Sequence, residues 1–292
     1  MLTGDLVLIH GFWSSTRTWD RLARLVESDA DLAGVRVDRF GYESPKVRLP
    51  LSPTRIPDYD DIAHSLRSHL ALLDPARPLV IVTHSQGGLI LQRHLAWMVH
   101  EGRARELARI RAIVLLACPN EGSEYLGTIR RALGFGRHPQ AAQLATLVAD
   151  ATEARRTFLR SVVNARAATD RDCPIPVHAY AGRTDNVVTR ASAQSVFPNV
   201  GSLPGDHSSI LDPQFPGSLT FPTLRTHVIE ALSATAAGPA PAAGAAAAPS
   251  SGATPASSGP STSKYRINIE GAQGVHIGDG NTQTNTFGAP PR

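Results

Sequence analysis

The sequence predicts an α/β protein in which a mostly parallel β-sheet is covered by helices on both faces. Short apolar runs with the length of buried strands alternate along the chain with longer segments whose apolar residues recur at helical spacing. Strands buried on both faces are continuously apolar, and a parallel sheet between two helical layers consists of such strands. The hydrophobic fraction of 42% is sufficient for the core of one large domain.

The predicted elements follow one another with short connections. The strands are predicted at residues 6–9, 35–40, 79–83, 110–117, 176–181 and 195–200. Helices are predicted at 19–26, 58–73, 89–100 and 221–232, where apolar residues recur every three or four positions. Residues 120–170 contain no strand-like run, so we expect a helical cap inserted after a strand. Residues 41–57 are rich in proline and arginine and are expected to form a loop.

Composition divides the chain into three parts. Residues 234–263 contain no charged side chain and consist only of Ala, Pro, Gly, Ser and Thr. Such a segment cannot bury enough apolar surface to offset its conformational entropy. We therefore expect a disordered linker there, between one folded domain at 1–233 and a C-terminal segment at 264–292.

Several classes of protein are excluded by composition. No apolar run approaches the ~18–20 residues of a membrane-spanning helix, and the chain starts directly with a strand-like run instead of a signal peptide. The cysteines, Cys118 and Cys173, form neither a disulfide framework nor a metal-binding pattern, so a cytoplasmic protein is expected. The net charge of +4 arises from scattered arginines, with Lys46 and Lys264 as the only lysines, and no nucleic-acid partner is expected.

Residues 82–88 form the sharpest local pattern in the chain. Ser85 lies between a predicted strand and a predicted helix, and Gly87 and Gly88 follow it closely. A nucleophilic serine is typically presented on such a strained turn, where small neighbours let the helix pack against the strand. The alternative interpretation is an ordinary serine at a helix N-terminus.

Two backbone N–H groups are candidates for stabilising an oxyanion beside Ser85. The first belongs to Gln86, at the N-terminus of the predicted helix. The second belongs to Phe12, because the first predicted strand runs into His10-Gly11, the kind of turn that presents such a donor.

A base and an acid are predicted further along the chain. Asp185 lies in the loop after the fifth predicted strand, and His207 lies in a loop 22 residues later. The chain order Ser85, Asp185, His207 is that of a Ser-His-Asp triad on an α/β sheet. Ser85 would attack an acyl carbonyl, His207 would carry its proton, and Asp185 would orient the imidazole.

The remaining acidic and histidine residues are assigned to structural roles. Asp206 is adjacent to His207 and cannot easily turn its carboxylate towards the far ring nitrogen, so it is assigned to the loop. His84 is assigned to support of the serine turn. No cluster of His, Asp and Glu has metal-ligand spacing, so neither a metal nor another cofactor is expected.

These segments together resemble the α/β-hydrolases, particularly lipase-like serine esterases that include effector domains of fungal and bacterial immune receptors. The matching segments are residues 8–12, 83–88, 117–123 and 205–210. Thr83 stands where the family usually has glycine, and Cys118 where this group usually has threonine. The resemblance implies an α/β-hydrolase fold and hydrolysis of carboxylic esters, with lipid acyl esters as the expected substrates.

The C-terminal segment has the pattern of short strands. Tyr265, Ile267 and Ile269 alternate with polar residues, and an Asn/Gln/Thr run at 281–286 carries no charge or proline. Segments of this kind stack with identical copies in cross-β ladders. A disordered tail or an accessory hairpin is the alternative interpretation.

The centre of this segment resembles the amyloid signalling motifs related to the necroptosis-type homotypic interaction motif, whose core is Val/Ile-Gln-Val/Ile-Gly. The residues that carry the resemblance are Val275, His276, Ile277, Gly278, Asn281 and Gln283, with His276 at the position of the usual glutamine. Bacterial versions commonly accompany a cell-death effector and a nucleotide-binding receptor. The resemblance implies a receptor partner with a matching motif, self-assembly through the tail, and recruitment to a membrane surface on activation.

Two functional hypotheses follow from the sequence. The first is a serine hydrolase of ester or lipid substrates, clustered through its tail. The second is a non-catalytic assembly protein that uses the hydrolase fold as a scaffold.

Overall fold

The computed structural model describes residues 2–11, 14–42, 59–120, 141–188, 193–194 and 196–234. All of them belong to the first of two units into which the chain divides, Met1–Ala243 and Gly244–Arg292. The predicted linker from residue 235 onwards and the whole predicted assembly motif lie outside the described residues. Residue 12, most of the predicted loop 41–57 and residues 121–140 of the predicted cap also lie outside them.

The described residues contain a six-stranded sheet in which every neighbouring pair of strands is parallel. The strands are β1 (Gly4–Ile9), β2 (Val35–Phe40), β3 (Leu79–His84), β4 (Ile110–Leu116), β5 (Val177–Gly182) and β6 (Asn199–Leu203). Their order in the sheet is β2-β1-β3-β4-β5-β6. The α/β fold class with a parallel sheet is therefore confirmed.

Five described α-helices connect or follow these strands. They are α1 (Asp20–Ser28), α2 (Tyr59–Leu72), α3 (Gln86–His100), α4 (Ala141–Phe158) and α5 (Thr220–Ser233). α4 lies in the predicted cap region and packs against α3. None of the helices in the described part of the chain is long and apolar enough to cross a bilayer.

The sheet separates two hydrophobic cores. Val7 and Ile9 of β1 pack with α2, α3 and α4 on one face, whereas Leu6 and Leu8 pack with α1 and α5 on the other face. This division follows from the two-residue period of a strand, which sends successive side chains to opposite faces. Helices on both faces explain why the central strands are apolar at nearly every position.

The sixth strand starts four residues later than the predicted range 195–200. Phe197 lies in a turn, where its backbone N–H donates to the Gln194 carbonyl oxygen at 3.2 Å. Its ring packs edge-on against Phe158 of α4, with ring centroids 6.2 Å apart. The apolar residues that indicated a strand are therefore core residues of a turn, and β6 begins at Asn199.

Candidate active site

Ser85 forms the sharp turn between β3 and α3. Its backbone has φ 52° and ψ −126°, a left-handed conformation that costs a non-glycine residue on the order of 1–3 kcal/mol and persists only where its surroundings enforce it. The N–H of Ser85 donates to the Leu116 carbonyl oxygen at 3.0 Å, and the Ser85 carbonyl oxygen accepts from the N–H of Gly88 at 3.1 Å. These bonds hold Ser85 at the carboxyl edge of the sheet.

The two glycines after Ser85 are required by close packing. A Cβ atom on Gly87 would lie 2.7 Å from the His10 carbonyl oxygen, and one on Gly88 would lie 2.6 Å from the Cys118 sulfur. Both distances are shorter than a real Cβ tolerates. The first turn of α3 therefore sits directly against the end of β1 on one side and the end of β4 on the other.

Thr83 occupies the position where the resembled family usually has glycine, and it has a partner there. Its hydroxyl oxygen lies 3.3 Å from the Cys118 sulfur, and both side chains are buried. The sharp turn at Ser85 thus forms with a threonine at this position. Burial raises the pKa of Cys118 to about 12, so this thiol stays protonated and is not a nucleophile at neutral pH.

The structure brings Ser85, His207 and Asp185 together in one line of hydrogen bonds. Nε2 of His207 lies 3.0 Å from Oγ of Ser85, and Nδ1 of His207 lies 2.9 Å from Oδ2 of Asp185. The Asp185 side chain is fully buried, whereas the His207 side chain is 18% exposed. An ionised carboxylate only accepts hydrogen bonds, so Nδ1 carries the imidazole proton and the Nε2 lone pair faces the serine hydroxyl.

Backbone groups fix the second oxygen of Asp185. Its Oδ1 accepts hydrogen bonds from the N–H groups of Val187 and Val188, at 2.7 and 2.9 Å. The carboxylate therefore cannot rotate without losing three contacts, and the oxygen that faces His207 has a defined position.

The loops that carry the acid and the base are joined to each other. The N–H of Thr184 donates to the Gly205 carbonyl oxygen at 3.1 Å. A Cβ on Gly182 would lie 3.0 Å from the carbonyl oxygens of Gly205 and Asp206. Gly205 itself has φ 113°, a conformation that only glycine adopts readily. The loop after β5 and the loop after β6 thus form one packed layer.

Asp206 stabilises the turn in which His207 lies. Its Oδ1 accepts from the N–H groups of Ser208 and Ser209 at 2.9 and 2.8 Å, and from the Ser209 hydroxyl at 2.8 Å. Hydrogen bonds from Ser209 and Ser208 lower the pKa of the Asp206 carboxyl. The structure thus places Asp206 in the loop, with Asp185 as the carboxylate on the His207 ring.

The turn after β1 lies against Ser85. A Cβ on Gly11 would be 2.8 Å from the Ser85 Cβ, so the His10-Gly11 turn directly adjoins the serine. Nδ1 of the fully buried His10 lies 2.8 Å from the Gly11 carbonyl oxygen, and burial lowers the pKa of His10. Gln86 is the first residue of α3. The other predicted oxyanion donor, Phe12, lies outside the described residues.

The sequence model of the Alpha/beta hydrolase family matches residues 6–215, which cover most of the described domain. The chain belongs to this family. No curated protein matches the sequence.

Three solved structures are similar over most of this chain. DcsB, in complex with its substrate analogue, has a TM-score of 0.52 at 14% identity, and the match covers 80% of this chain and 92% of that chain. An extracellular alpha/beta-hydrolase from a Paenibacillus species has a TM-score of 0.48 at 14% identity, covering 78% and 98%. ClbQ from the colibactin NRPS/PKS pathway has a TM-score of 0.48 at 15% identity, covering 80% and 99%. At this identity the likeness to DcsB is one of fold.

Tyr42 is a contributor to this Alpha/beta hydrolase site that sequence patterns missed. Its ring stacks on His10 with centroids 4.1 Å apart, and its hydroxyl donates to the His10 carbonyl oxygen at 2.9 Å. It lies within the predicted loop 41–57, where no periodicity indicates a partner. Only the pairing of β1 with β2 brings the two residues together.

Asn120 is a second residue whose role depends on tertiary contacts. Its side chain accepts a hydrogen bond from Gln92 of α3 at 3.0 Å and donates to the carbonyl oxygens of Cys118 and Ala193, at 2.9 and 3.0 Å. Asn120 therefore connects the serine-bearing helix with the chain beyond β4 and the chain beyond Asp185. The described residues contain no group of three or more His, Cys, Asp or Glu side chains that could hold a metal ion.

Proposed function

We propose that this protein is a serine hydrolase that cleaves carboxylic esters, with Ser85 as nucleophile, His207 as general base and acid, and Asp185 as the orienting carboxylate. The observation that carries the proposal is the line of hydrogen bonds from Ser85 Oγ through His207 to Asp185. A serine at a helix N-terminus needs no such partners. The strained backbone of Ser85, whose side chain makes no capping hydrogen bond to α3, supports the same assignment.

The first half of the proposed reaction forms an acyl-enzyme. Oγ of Ser85 bonds to the carbonyl carbon of the ester while its proton passes to Nε2 of His207. The resulting imidazolium is stabilised by the Asp185 carboxylate. The tetrahedral oxyanion accepts hydrogen bonds from the backbone N–H of Gln86, at the positive end of α3, and from that of Phe12. The bond to the alkoxide then breaks, and His207 gives its proton to the leaving oxygen.

The second half restores the enzyme. A water molecule gives a proton to Nε2 of His207 and attacks the acyl carbon. The second tetrahedral intermediate breaks its bond to Oγ of Ser85, which takes the proton back from His207. The products are a carboxylic acid and an alcohol, and no cofactor enters the balance.

We extend the proposal to lipid acyl esters as the substrate class. The support is the sequence resemblance to lipase-like esterases and the insertion of helical sequence at 120–170, whose described residues include α4. An acyl chain would be recognised by apolar surface, which is what such an insertion supplies.

The C-terminal motif supports a proposed role as a defence or cell-death effector. A receptor of the nucleotide-binding type, with a matching amyloid motif, would template residues 275–283 and cluster the catalytic domains. Self-assembly of the tail alone is the other proposed route to clustering. The protein would act in the cytoplasm and at the membrane surface to which the cluster is recruited. If the domain is not catalytic, the tail resemblance instead supports an assembly protein.

A fluorophosphonate probe and a panel of esters test the catalytic proposal. The wild-type protein should be labelled and should hydrolyse p-nitrophenyl esters, and Ser85→Ala should lose both activities. Ser68→Ala is the matched control, because Ser68 is exposed on α2 and its hydroxyl donates to the His64 carbonyl oxygen of the same helix. Equal labelling of wild type and Ser85→Ala would exclude Ser85 as the nucleophile. Comparison of short-chain esters, long-chain esters and phospholipids then tests the substrate class.

A further inference from the structure

His84 makes a contact with the base that the proposed reaction does not use. It is the last residue of β3, its side chain is buried, and its Nε2 lies 2.7 Å from the backbone carbonyl oxygen of His207. A carbonyl oxygen only accepts hydrogen bonds, so Nε2 of His84 carries the proton and donates it. The two imidazole rings lie 4.9 Å apart at an angle of 48°.

This contact closes a ring of interactions around the nucleophile and the base. The side chains of Ser85 and His207 meet at 3.0 Å. The neighbouring residue, His84, is covalently joined to Ser85 and holds the backbone of His207 at 2.7 Å. The segment that carries Ser85 is therefore bonded to the loop after β6 at a second point. Asp185 orients the ring of His207 from one end, and His84 sets the position of the backbone from which that ring extends.

The His84 imidazole is suited to this contact because it is neutral. Burial, followed by the nearby charge of His207, lowers the pKa of His84 to about 3. The charged or titratable groups that face it are His207 from the loop after β6, Asp185 from the loop after β5, and His10 at the end of β1. A neutral donor leaves the imidazolium that forms on His207 without a second positive charge beside it.

The other side of the His84 ring faces the turn after β1. A Cβ on Gly11 would lie 3.0 Å from Nδ1 of His84, and that nitrogen is buried without a hydrogen-bond partner among the described residues. Rotation of the ring to exchange its nitrogens would break the bond to His207 and supply no other acceptor for the N–H. The ring is therefore fixed with its donor towards the base.

We propose that His84 is a positioning residue: its Nε2–H holds the His207 backbone so that the His207 imidazole stays within reach of the Ser85 hydroxyl. The inference rests on the proposed function, because it assigns His84 a role only if His207 acts as the base. The role assigned to His84 is more than filling space in the core. A side chain of the same size without an N–H donor would leave the His207 carbonyl oxygen without that hydrogen bond.

Three variants of the full-length chain separate donation from packing. His84→Phe keeps a ring and removes the donor, whereas His84→Gln supplies an amide N–H close to the place of Nε2. We expect His84→Phe to lower kcat about 10- to 100-fold with KM changed less than about 2-fold, because a small misplacement of the base is costly. His84→Gln should recover kcat to within about 3-fold of wild type. Adding Asp185→Asn to His84→Phe should lower kcat by less than the product of the two single effects, since both residues act through one imidazole.

The outcomes distinguish this inference from the proposed function. If the wild type shows no Ser85-dependent turnover, the proposed function and the inference fail together. If the wild type turns over and His84→Phe matches it, or if His84→Phe and His84→Gln lose activity equally, only the inference is wrong.

A spectroscopic measurement on the wild type reads the protonation of the His84 ring directly, without reference to turnover. In the ¹⁵N-histidine-labelled chain, assigned with His84→Gln, the His84 ring should be neutral and protonated at Nε2 from pH 8 down to about pH 5. A ring protonated at Nδ1, or a charged ring at pH 7, would overturn the inference.

Discussion

Two buried carboxylates lie at opposite edges of the sheet, one where the strands begin and one where they end. The groups that bind them differ in kind. Asp5, near the amino end of β1, is 2% exposed and is held by Nε of Arg36 at 2.9 Å and by Nε of Arg77 at 2.7 Å. Asp185, beyond the carboxyl end of β5, is fully buried and is held by His207 and by two backbone N–H groups. Both carboxylates are satisfied, but only one is linked to a group that can change its charge.

This difference separates a structural carboxylate from the one to which the proposed function gives a chemical role. A guanidinium stays charged at every accessible pH, so the two partners of Asp5 keep their charge. An imidazole can gain and lose a proton, so in the proposed reaction the charge of Asp185 acts on a reversible event at Nε2 of His207. A buried carboxylate on an α/β sheet is thus assigned by its partner and its edge of the sheet rather than by its burial.

The most severe test of this contrast is Asp185→Asn. The asparagine amide would donate to Nδ1 of His207, which would move the imidazole proton to Nε2 and leave no lone pair for the Ser85 hydroxyl. We expect kcat to fall about 10³- to 10⁴-fold, while the melting temperature changes little because asparagine has nearly the same shape. Initial rates on a soluble ester and thermal unfolding measure the two effects. A variant that retains most of its activity would show that Asp185 does not act through His207.

Asp5→Asn is the matched substitution at the other edge of the sheet. It removes the charge that compensates Arg77, and we expect a loss of about 2 kcal/mol in the free energy of unfolding. The loss is moderate because Arg36 is 60% exposed and returns readily to water. Activity per folded molecule should stay within about 2-fold of wild type. Urea unfolding and initial rates measure the two effects. A large loss of kcat without a loss of stability would show that Asp5 also affects the reaction.

Acid should weaken the two edges in different pH ranges. The pKa of His84 is about 3 in the folded protein, against about 6.5 for an unperturbed histidine. Because the unfolded chain then binds one more proton at His84 than the folded protein does, the contribution of His84 to the free energy of unfolding is complete above about pH 6.5. This contribution falls by roughly 1 kcal/mol per pH unit as the pH decreases. Burial alone would raise the pKa of Asp5, but hydrogen bonds from Arg36 and Arg77 lower it below its ordinary value. Its contribution is therefore present above about pH 4 and is lost only below that.

Substitution separates these two contributions. In urea unfolding at several pH values, His84→Gln should flatten the slope between pH 6.5 and 4, and Asp5→Asn should flatten it only below about pH 4. Ser68→Ala should leave both slopes as in wild type. An unchanged slope in His84→Gln above pH 4 would mean that His84 is protonated in the folded protein.

The sequence predicted those features that depend on local pattern or chain order. The strands β1 to β5 are mainly apolar runs or, in β2, an alternating run, and the observed ends lie within two residues of the predicted ones. Ser85 stands out because its turn needs small neighbours, and Asp185 and His207 follow from their place after strands. The predicted start of β6 was wrong. Phe197 packs against Phe158 in the core, and the spacing of apolar residues along the chain does not distinguish such a contact from a strand.

Contacts between distant segments were beyond the reach of sequence patterns. The sequence assigned His84 to support of the serine turn, but its acceptor lies 123 residues away. Asn120 lies within a segment that carried the family resemblance, yet its bonds to Gln92 and Ala193 exist only in the folded chain. Residues whose role is to hold another residue have no chemistry of their own to mark them, so they appear only in three dimensions.

The smallest expected effect concerns the turn beside Ser85 and its support by Tyr42. Tyr42→Phe keeps the ring that stacks on His10 and removes the hydroxyl that donates to the His10 carbonyl oxygen. We expect a loss of about 1 kcal/mol in stability and a fall in kcat of about 2- to 5-fold, because this turn leads to the proposed oxyanion donor at Phe12. Unfolding in urea and initial rates on a soluble ester measure both effects.

Tyr180→Phe is the matched control for this variant. It removes a hydroxyl of the same chemistry, hydrogen-bonded to Nε2 of His227 at 2.7 Å, from the middle of β5. We expect a similar loss of stability with kcat unchanged, because the hydroxyl of Tyr180 pairs with His227 on α5 and not with the turn after β1. If both tyrosine variants reduced kcat equally, the effect of Tyr42 would reflect overall stability, and the turn after β1 would not need its hydroxyl to hold the oxyanion donor in place.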